Sequence, residues 1–140
     1  MTPVHEIMSS DVLSITPTAT VLDALRMMAG ADVRHLPVVD NGCLVGILSD
    51  RDINRYQAQG SDSSEISNEV VMRHLGAPVS ASMTREPQTV SSTTSLEQAA
   101  GVMIETKVGA LPVVDGGRLV GMLSTIDLLR WVRHQGKLGG

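Results

Sequence analysis

The chain is an internal duplication, and this feature limits its possible folds more than any other. Residues 36–49 read LPVVDNGCLVGILS, and residues 111–124 read LPVVDGGRLVGMLS. Aligned without gaps in that register, segments 4–55 and 79–130 share 19 identical residues in 52 pairs. Because self-similarity of this kind marks a repeated supersecondary unit, the chain is predicted to contain two similar repeats.

The first half of each repeat is predicted to be a strand followed by a helix. Residues 12–16 and 88–92 are short stretches rich in β-branched side chains, which favours strands. Thr20 and Ser95 come next, each with an acid or an amide three positions later. A hydroxyl residue in that spacing is typical of a capping box at a helix start.

The second half of each repeat is predicted to be a hairpin and a second helix. Asn41-Gly42 and Gly116-Gly117 supply the positive φ angles that a two-residue hairpin turn needs. They predict that residues 36–40 pair with 44–48, and 111–115 with 119–123. A further helix is predicted to start at Ser49 and at Ser124. Each repeat is therefore predicted to be strand-helix-strand-strand-helix, which is a mixed α/β (α+β) fold.

These elements divide the chain into four predicted parts. Repeat 1 covers residues 1–56, and repeat 2 covers residues 79–134. Between them lies a linker, 57–78, with a polar loop at 60–64 and a helix over 65–74. Residues 135–140 are glycine-rich and are predicted to be a flexible tail.

The sequence Gly-x-x-Ser-x-x-Asp ends each hairpin, as Gly46, Ser49 and Asp52 show in the first repeat. A serine at a helix N-cap, next to outward-pointing N–H groups, favours an anion such as phosphate. An aspartate nearby can accept hydrogen bonds from two ribose hydroxyls, so the pattern fits a nucleotide. The same spacing is also that of an ordinary capping box, and the sequence leaves both interpretations open.

The whole pattern resembles the cystathionine β-synthase (CBS) domain family. The resemblance rests on LPVVDxGxLVGxLSxxD in both copies, together with Ile7-Met8-Ser9 and Ser82-Met83-Thr84. It covers segments 4–55 and 79–130 and implies a stand-alone pair of repeats packed with pseudo-two-fold symmetry. It also implies a homodimer and two clefts for adenosine derivatives such as AMP, ADP, ATP or S-adenosylmethionine. No cofactor is required beyond such a ligand.

In that family each cleft is shared by the two repeats. By position, cleft A would use Val12, Val33, Arg34, His35, Pro37, Met122, Ser124 and Asp127. Cleft B would use Pro87, Val108, Gly109, Ala110, Pro112, Ile47, Ser49, Arg51 and Asp52. The resemblance assigns phosphate to the serines and ribose to the aspartates. It assigns the base to Val33, Val108, Ile47 and Met122.

The two clefts are predicted to differ in their cations. Arg34 and His35 would serve cleft A, where the other repeat has uncharged residues, and Arg51 would serve cleft B. Two alternatives stay open. Arg51 could instead form a surface ion pair with Asp50 or Asp52, and His35 could be a partly buried, hydrogen-bonded histidine.

Composition excludes several function classes. A formal net charge of −4 argues against nucleic-acid binding, and no apolar run approaches the roughly 20 residues that span a membrane. A single cysteine, Cys43, allows no internal disulfide, and the first residues lack the pattern of a signal peptide, so a cytoplasmic protein is expected. The sequence shows no nucleophile with a base, no metal-ligand cluster and no phosphate loop, so no enzyme is expected.

The predicted function is a regulatory module that senses an adenosine-containing ligand. Binding would change the conformation or the dimer, and an unidentified protein target would respond. The alternative is a non-catalytic interaction or dimerisation scaffold whose ligand clefts are vestigial.

Overall fold

A computed structural model describes residues 1–59 and 68–139 of the chain. The chain forms two compact units, each described here by itself. Module 1 is Leu13–Glu86, and module 2 combines Met1–Val12 with Pro87–Gly140. The modules differ from the sequence repeats because the segments that begin the two repeats are exchanged. Residues 1–12 belong to module 2, and residues 79–86 belong to module 1.

Both modules have an antiparallel hairpin and flanking helices. Module 1 contains α1 (Val21–Ala31), β1 (His35–Asp40), β2 (Cys43–Ser49), α2 (Asp50–Gln59), α3 (Asn68–Gly76), a 3-10 turn (Val79–Ala81) and β3 (Thr84–Arg85). Module 2 contains a 3-10 turn (Val4–Glu6), α4 (Leu96–Thr106), β4 (Ala110–Asp115), β5 (Arg118–Ser124) and α5 (Thr125–Gly139). The short strand β3 pairs with β2. None of the described helices is long and apolar enough to cross a membrane.

The two predicted hairpins are confirmed. Asn41 and Gly42 have φ angles of 53° and 83°, and Gly116 and Gly117 have 59° and 82°. Two consecutive positive φ angles are those of the type I′ turn, whose twist matches that of the paired strands. Leu36 pairs with Leu48 in β1–β2, and the same register recurs in β4–β5.

The predicted helix starts are also present. The Thr20 hydroxyl accepts a hydrogen bond from Asp23 N at 3.1 Å, and the Asp23 carboxylate accepts one from Thr20 N at 3.2 Å. Ser95 Oγ accepts one from Gln98 N at 3.2 Å. The first capping box is therefore reciprocal, and the second has its serine half.

The first strand predicted in each repeat, 12–16 and 88–92, is a single bridge residue instead of a ladder. Ile15 pairs with Val38, and Val90 pairs with Val113, both in parallel. In module 1, Pro17 follows two residues after Ile15 and has no N–H to donate to a ladder. In module 2 the backbone turns away after Val90, because Ser91 N donates to the Thr94 hydroxyl at 3.0 Å.

The structure shifts the predicted linker helix and makes part of the predicted tail helical. Helix α3 begins at Asn68 and ends at Gly76, two residues beyond the predicted 65–74, and the predicted loop 60–64 lies outside the described residues. Helix α5 continues to Gly139, although a flexible tail was predicted from residue 135. Once a helix has formed, each added residue gains one backbone hydrogen bond, which favours continuation despite Gly136.

Each module has its own apolar core. The core of module 1 contains Ile15, Val21, Ala24, Met28, Leu36, Val38, Leu48, Ile53 and Val79. The core of module 2 contains Val4, Val90, Leu96, Ala99, Met103, Leu111, Val113 and Leu123. Val4 and Val79 occupy the same position in the two repeats, and both are fully buried. Val4 of repeat 1 lies in the core of module 2, and Val79 of repeat 2 lies in the core of module 1.

The exchanged segments dock against glycines of the hairpins. In module 2, Ser9 N donates to Met122 O and Met122 N donates to Ser9 O, both at 2.9 Å. A Cβ atom on Gly121 would lie 2.5 Å from Met8 Sδ and 2.9 Å from Ser9 O. In module 1, a Cβ atom on Gly46 would lie 2.7 Å from Met83 Sδ and 2.9 Å from Thr84 O. Only glycine allows this approach, so both hairpins require it here.

We predict that Gly121→Ala lowers the free energy of unfolding by about 1–3 kcal/mol, because the new methyl group overlaps the docked segment. The matched control is Gly101→Ala in α4, where a Cβ atom meets nothing within 4 Å. There, alanine should raise the free energy of unfolding by about 0.5–1 kcal/mol, since it is the better helix former. Urea unfolding measures both. Equal effects of the two substitutions would contradict the proposed docking.

Candidate functional site

The candidate site is built around the two junctions where a hairpin strand runs into a helix. Ser49 is the last residue of β2, and α2 begins at Asp50. Ser124 is the last residue of β5, and α5 begins at Thr125. Each serine therefore occupies the N-cap position that its sequence predicted. The first backbone N–H groups of a helix have no partner within the helix, so each junction is a site for hydrogen-bond acceptors.

Serine and aspartate bond to each other's backbone at both junctions. Ser49 N donates to Asp52 Oδ2 at 3.0 Å, and Asp52 N donates to Ser49 Oγ at 3.1 Å. Ser124 N donates to Asp127 Oδ2 at 2.9 Å, and Asp127 N donates to Ser124 Oγ at 3.2 Å. The capping-box interpretation is thus confirmed in both modules.

These bonds are also compatible with hydrogen bonds from the same side chains to a ligand. A carboxylate has two oxygens with about four lone-pair sites, and a capping bond uses only one of them. A serine hydroxyl that accepts from the backbone still carries a proton to donate. The capping bonds therefore hold Ser and Asp at the helix start and do not by themselves exhaust the hydrogen-bonding capacity of these side chains.

A strained loop precedes β1 and β4 in the two modules. Asp32 and Lys107 end α1 and α4 with φ angles of 54° and 58°, in the left-handed region. Val33 and Val108 follow them and are 39% and 37% exposed. The N–H groups of these valines donate to the preceding helices, at Met28 O and Met103 O. Because the N–H groups of both valines are bonded to the helices, a ligand beside either valine backbone would meet its carbonyl oxygen, which is an acceptor.

Backbone pairing brings the strained loop to the strand-helix junction of the same module. Asp50 N donates to Arg34 O at 3.1 Å, and His35 pairs with Ser49. In module 2, Thr125 N donates to Gly109 O at 3.0 Å, and Ala110 pairs with Ser124. Each module therefore presents loop and junction as one continuous surface.

The structure places the predicted cleft residues in both modules. Module 1 holds Val33, Arg34, His35 and Pro37 of cleft A, and Ile47, Ser49, Arg51 and Asp52 of cleft B. Module 2 holds Val12, Met122, Ser124 and Asp127 of cleft A, and Pro87, Val108, Gly109, Ala110 and Pro112 of cleft B. Each module therefore contains some of the residues predicted for cleft A and some of those predicted for cleft B. The grouping of these halves into clefts A and B stays a prediction.

Two of the predicted residues, Pro37 and Pro112, lie in the interior. Both side chains are fully buried, and their carbonyls accept hydrogen bonds from Ile15 N and Val90 N. In this structure the two prolines hold the bridge residues in place. Any influence on a ligand would pass through the strand that they shape.

An ion pair that the sequence did not predict marks module 1. Arg34 Nη1 lies 3.5 Å from Asp50 Oδ2, with the two side chains 82% and 39% exposed. The hairpin register could have predicted this ion pair, because pairing His35 with Ser49 places residues 34 and 50 opposite each other. At the matched position in module 2, the Thr125 hydroxyl donates to Gly109 O at 3.2 Å. Of these two contacts, only the one between Arg34 and Asp50 in module 1 joins charged groups.

His35 is half-buried next to these charged groups. Burial lowers the pKa of His35 below its ordinary value of 6.5, and Arg51 lowers it further. Asp50 and Asp52 act in the opposite direction, but burial is the larger cause. The imidazole is therefore mainly neutral at pH 7. Its partial burial agrees with the second alternative for His35, and the hydrogen bond of that alternative stays a prediction. A bound anion beside the imidazole would raise its pKa and favour the cation.

No metal centre is visible at either junction. Within residues 1–59 and 68–139, no three His, Cys, Asp or Glu side chains come together in a way that could hold a metal ion. What the junctions offer instead is carboxylate, hydroxyl, backbone carbonyl and aliphatic surface. These groups suit a ligand with hydroxyls and an apolar ring.

Comparison with known proteins agrees with this description. The family model of the CBS domain matches the chain twice, at residues 4–59 and 79–134. The CBS domain-containing protein YhcV of Bacillus subtilis is 34% identical over 129 residues, covering 91% of this chain and 84% of YhcV.

Two solved structures are similar over almost the whole chain. CBSX2 from Arabidopsis thaliana in complex with AMP gives a TM-score of 0.81 at 30% identity, covering 97% of this chain and 99% of CBSX2. The CBS domain pair of protein MJ0100, in complex with 5′-methylthioadenosine and S-adenosyl-L-methionine, gives 0.81 at 25% identity, covering 96% of this chain and 98% of that one.

Some relatives are enzymes, but the match covers little of them. The chain spans 23% of a homoserine O-acetyltransferase from Methanocorpusculum labreanum and 22% of an inosine-5′-monophosphate dehydrogenase from Methanocaldococcus jannaschii. What is shared over most of this chain is the paired repeat, and the chain belongs to the CBS domain family.

Proposed function

We propose that the chain is a regulatory module that binds an adenosine-containing ligand, such as AMP, ADP, ATP or S-adenosylmethionine. The observation that carries this proposal is the matched pair of junctions. In both modules an aspartate is fixed at a helix start by a reciprocal bond to serine, beside an exposed valine loop. The complexes of CBSX2 with AMP and of MJ0100 with S-adenosyl-L-methionine support the ligand class.

Each group in a junction suits one part of such a ligand. Asp52 and Asp127 would accept hydrogen bonds from the ribose hydroxyls, and Ser49 and Ser124 would donate to a phosphate. The base would lie against Val33 or Val108 and against Ile47 or Met122. Aliphatic contact is the available kind, since the chain has no Phe, one Tyr and one Trp. A valine carbonyl would accept a hydrogen bond from the adenine amino group.

The charged groups would make the two sites unequal. Arg34 and His35, which align with Gly109 and Ala110, would serve cleft A, and Arg51, which aligns with Ile126, would serve cleft B. Arg34 already pairs with Asp50, so a phosphate would have to compete with that carboxylate. An exposed pair of this kind is worth about 0–1 kcal/mol, and a doubly charged phosphate can displace it.

The signal would be a change in conformation or in a homodimer, which a protein target responds to. We place this activity in the cytoplasm, where the exposed thiol of Cys43 would stay reduced. No catalysis, metal, nucleic acid or membrane forms part of the proposal. A ligand transmits a signal only if it binds one of two states more tightly, so the sites must change shape on binding.

A second candidate function is a dimerisation scaffold with vestigial clefts. One observation favours it, because each Ser–Asp pair already satisfies the helix start without a ligand. The absorbance spectrum of the purified full chain distinguishes the two. A bound nucleotide gives excess absorbance at about 260 nm, against a low background from Trp131 and Tyr56.

We predict that AMP, ATP or S-adenosylmethionine raises the melting temperature of the full chain. Ligand at about 100 times its dissociation constant stabilises the folded state by about 2.7 kcal/mol. The double variant Asp52→Asn/Asp127→Asn keeps an oxygen for the cap but loses the carboxylates, so it should show little shift. The control is Asp23→Asn, which changes the same kind of capping aspartate at the start of α1, a helix that begins at neither junction. Thermal unfolding monitored by circular dichroism measures all three proteins.

No shift with any adenosine compound would contradict the proposal and favour the scaffold. An equal shift in the wild type and the double variant would leave ligand binding intact but remove the aspartates from it. A loss of the shift in Asp23→Asn as well would mean that capping, and not the junction carboxylates, sets the response.

We also predict that His35 makes stability pH-dependent. Because the pKa of His35 is lowered in the folded state, the unfolded chain binds more protons as the pH falls past 6.5. His35 should therefore cost stability on acidification from about pH 7.5 to about pH 5. The variant His35→Gln should show a shallower fall in melting temperature than the wild type, whereas the exposed His134→Gln should not. Identical pH profiles for wild type and His35→Gln would contradict this.

A further inference from the structure

Charged and titratable side chains are concentrated at the strand-helix junction of module 1. They are Arg34, His35, Asp50, Arg51 and Asp52. The first two stand where β1 begins, and the other three form the first turn of α2. Hairpin pairing brings the two groups together, because His35 pairs with Ser49 and Asp50 N donates to Arg34 O at 3.1 Å.

The duplication shows that the fold does not require these charges. At the aligned positions module 2 has Gly109, Ala110, Thr125, Ile126 and Asp127, of which only the aspartate is charged. There a neutral bond joins the two segments, from the Thr125 hydroxyl to Gly109 O at 3.2 Å. A junction therefore forms without an ion pair, and the charges of module 1 are available for another role.

The ion pair of module 1 joins groups that the proposed function assigns to different ligands. Arg34 is predicted to supply a cation to cleft A. Asp50 directly follows Ser49, which is predicted to donate to a phosphate in cleft B. Arg34 Nη1 lies 3.5 Å from Asp50 Oδ2, and the arginine side chain is mostly exposed. Arg34 can therefore turn from Asp50 to a ligand while the backbone stays in place.

Asp50 keeps its position when Arg34 turns away. Its N–H remains bonded to Arg34 O, and it is the first residue of α2. A carboxylate at a helix start interacts favourably with the same N–H groups that attract a phosphate. Without Arg34, Asp50 places an uncompensated negative charge next to Ser49. That charge repels a phosphate or pairs with the neighbouring Arg51, and either outcome weakens phosphate binding at Ser49.

His35 shows that charges already interact across this junction. Burial is the largest cause of the lowered pKa of His35, while Asp50 and Asp52 raise that pKa and Arg51 lowers it. His35 is among the residues predicted for cleft A, whereas Arg51 and Asp52 are predicted for cleft B. Groups assigned to one ligand therefore influence a group assigned to the other, within a single module.

We propose that the Arg34–Asp50 ion pair makes two phosphate-bearing ligands antagonists, with Asp50 as the specificity-determining residue. A phosphate that takes Arg34 in cleft A exposes the Asp50 carboxylate beside Ser49 and weakens phosphate binding in cleft B. Because such coupling is reciprocal, a phosphate at Ser49 weakens phosphate binding at Arg34 by the same factor. The second site then favours an adenosine derivative without a phosphate. This inference rests on the proposed function and states which ligands bind well together.

The first test is calorimetric titration of the full chain at about pH 8, where His35 is neutral. The ligands are AMP and 5′-methylthioadenosine, which has no phosphate. The variants Asp127→Asn and Asp52→Asn each remove the ribose acceptor of one cleft, so each reports the other site alone. For AMP, the overall constant of the wild type should be about two- to fivefold below the product of the single-site constants, as expected for an exposed ion pair. For 5′-methylthioadenosine the two should agree.

The second test uses Asp127→Asn as background, in which only cleft B binds well. Arg34→Gln removes the partner of Asp50 and should weaken AMP binding there about two- to fivefold, although Arg34 itself is assigned to the other cleft. Adding Asp50→Asn should restore the affinity, since the carboxylate is gone. The matched control is Asp40→Asn, which changes the net charge equally at an exposed position in β1 and should restore nothing.

The outcomes separate this inference from the proposed function. Binding of both ligands without antagonism between two AMP molecules, or restoration by Asp40→Asn as well as by Asp50→Asn, would overturn the inference alone. Equal antagonism for 5′-methylthioadenosine would also overturn it, because that ligand brings no phosphate. If neither ligand binds, the proposed function itself is contradicted, and the inference fails with it.

Discussion

The bond between a serine at a helix start and the aspartate three residues later governs the candidate site. It closes the first turn of α2 and of α5, fixes the carboxylate, and does so at the end of the hairpin strand. The same strand pairs with the residues that follow the valine loop, so loop, strand and helix form one surface. The local bond fixes the polar groups, and strand pairing brings beside them the valine loop, which lies 16 residues earlier in the sequence.

Local chemistry made much of the fold predictable. Asn41-Gly42 and Gly116-Gly117 define their turns by the positive φ angles that they tolerate, and the hairpin register follows from the turn. The exchange of the opening segments could not be predicted in the same way. Residues 4 and 79 look alike in sequence, and which hairpin each one meets depends on tertiary packing. Gly46 and Gly121 entered the sequence analysis only as the first residues of the Gly-x-x-Ser-x-x-Asp pattern, and the close backbone approach at each is visible only in the structure.

The site was predictable in its residue types and less so in its contacts. Ser49 and Asp52 followed from their spacing, whereas the pairing of Arg34 with Asp50 required the strand register. The duplication also shows where the two halves have diverged. Module 1 carries charge around its junction, with Arg34, Asp50 and Arg51, while module 2 has an apolar outer face on α5. The two modules are alike in their buried cores and differ at exposed positions.

The most direct test is a calorimetric titration of the full chain with AMP and with 2′,3′-dideoxy-AMP. The two ligands share base and phosphate and differ only in the ribose hydroxyls that Asp52 and Asp127 are proposed to bind. Loss of hydrogen bonds to a charged group costs about 1.5–3 kcal/mol, so the dideoxy compound should bind at least about tenfold more weakly. Equal affinity for the two ligands, or no binding of AMP, would contradict a ribose-binding role for the junction aspartates.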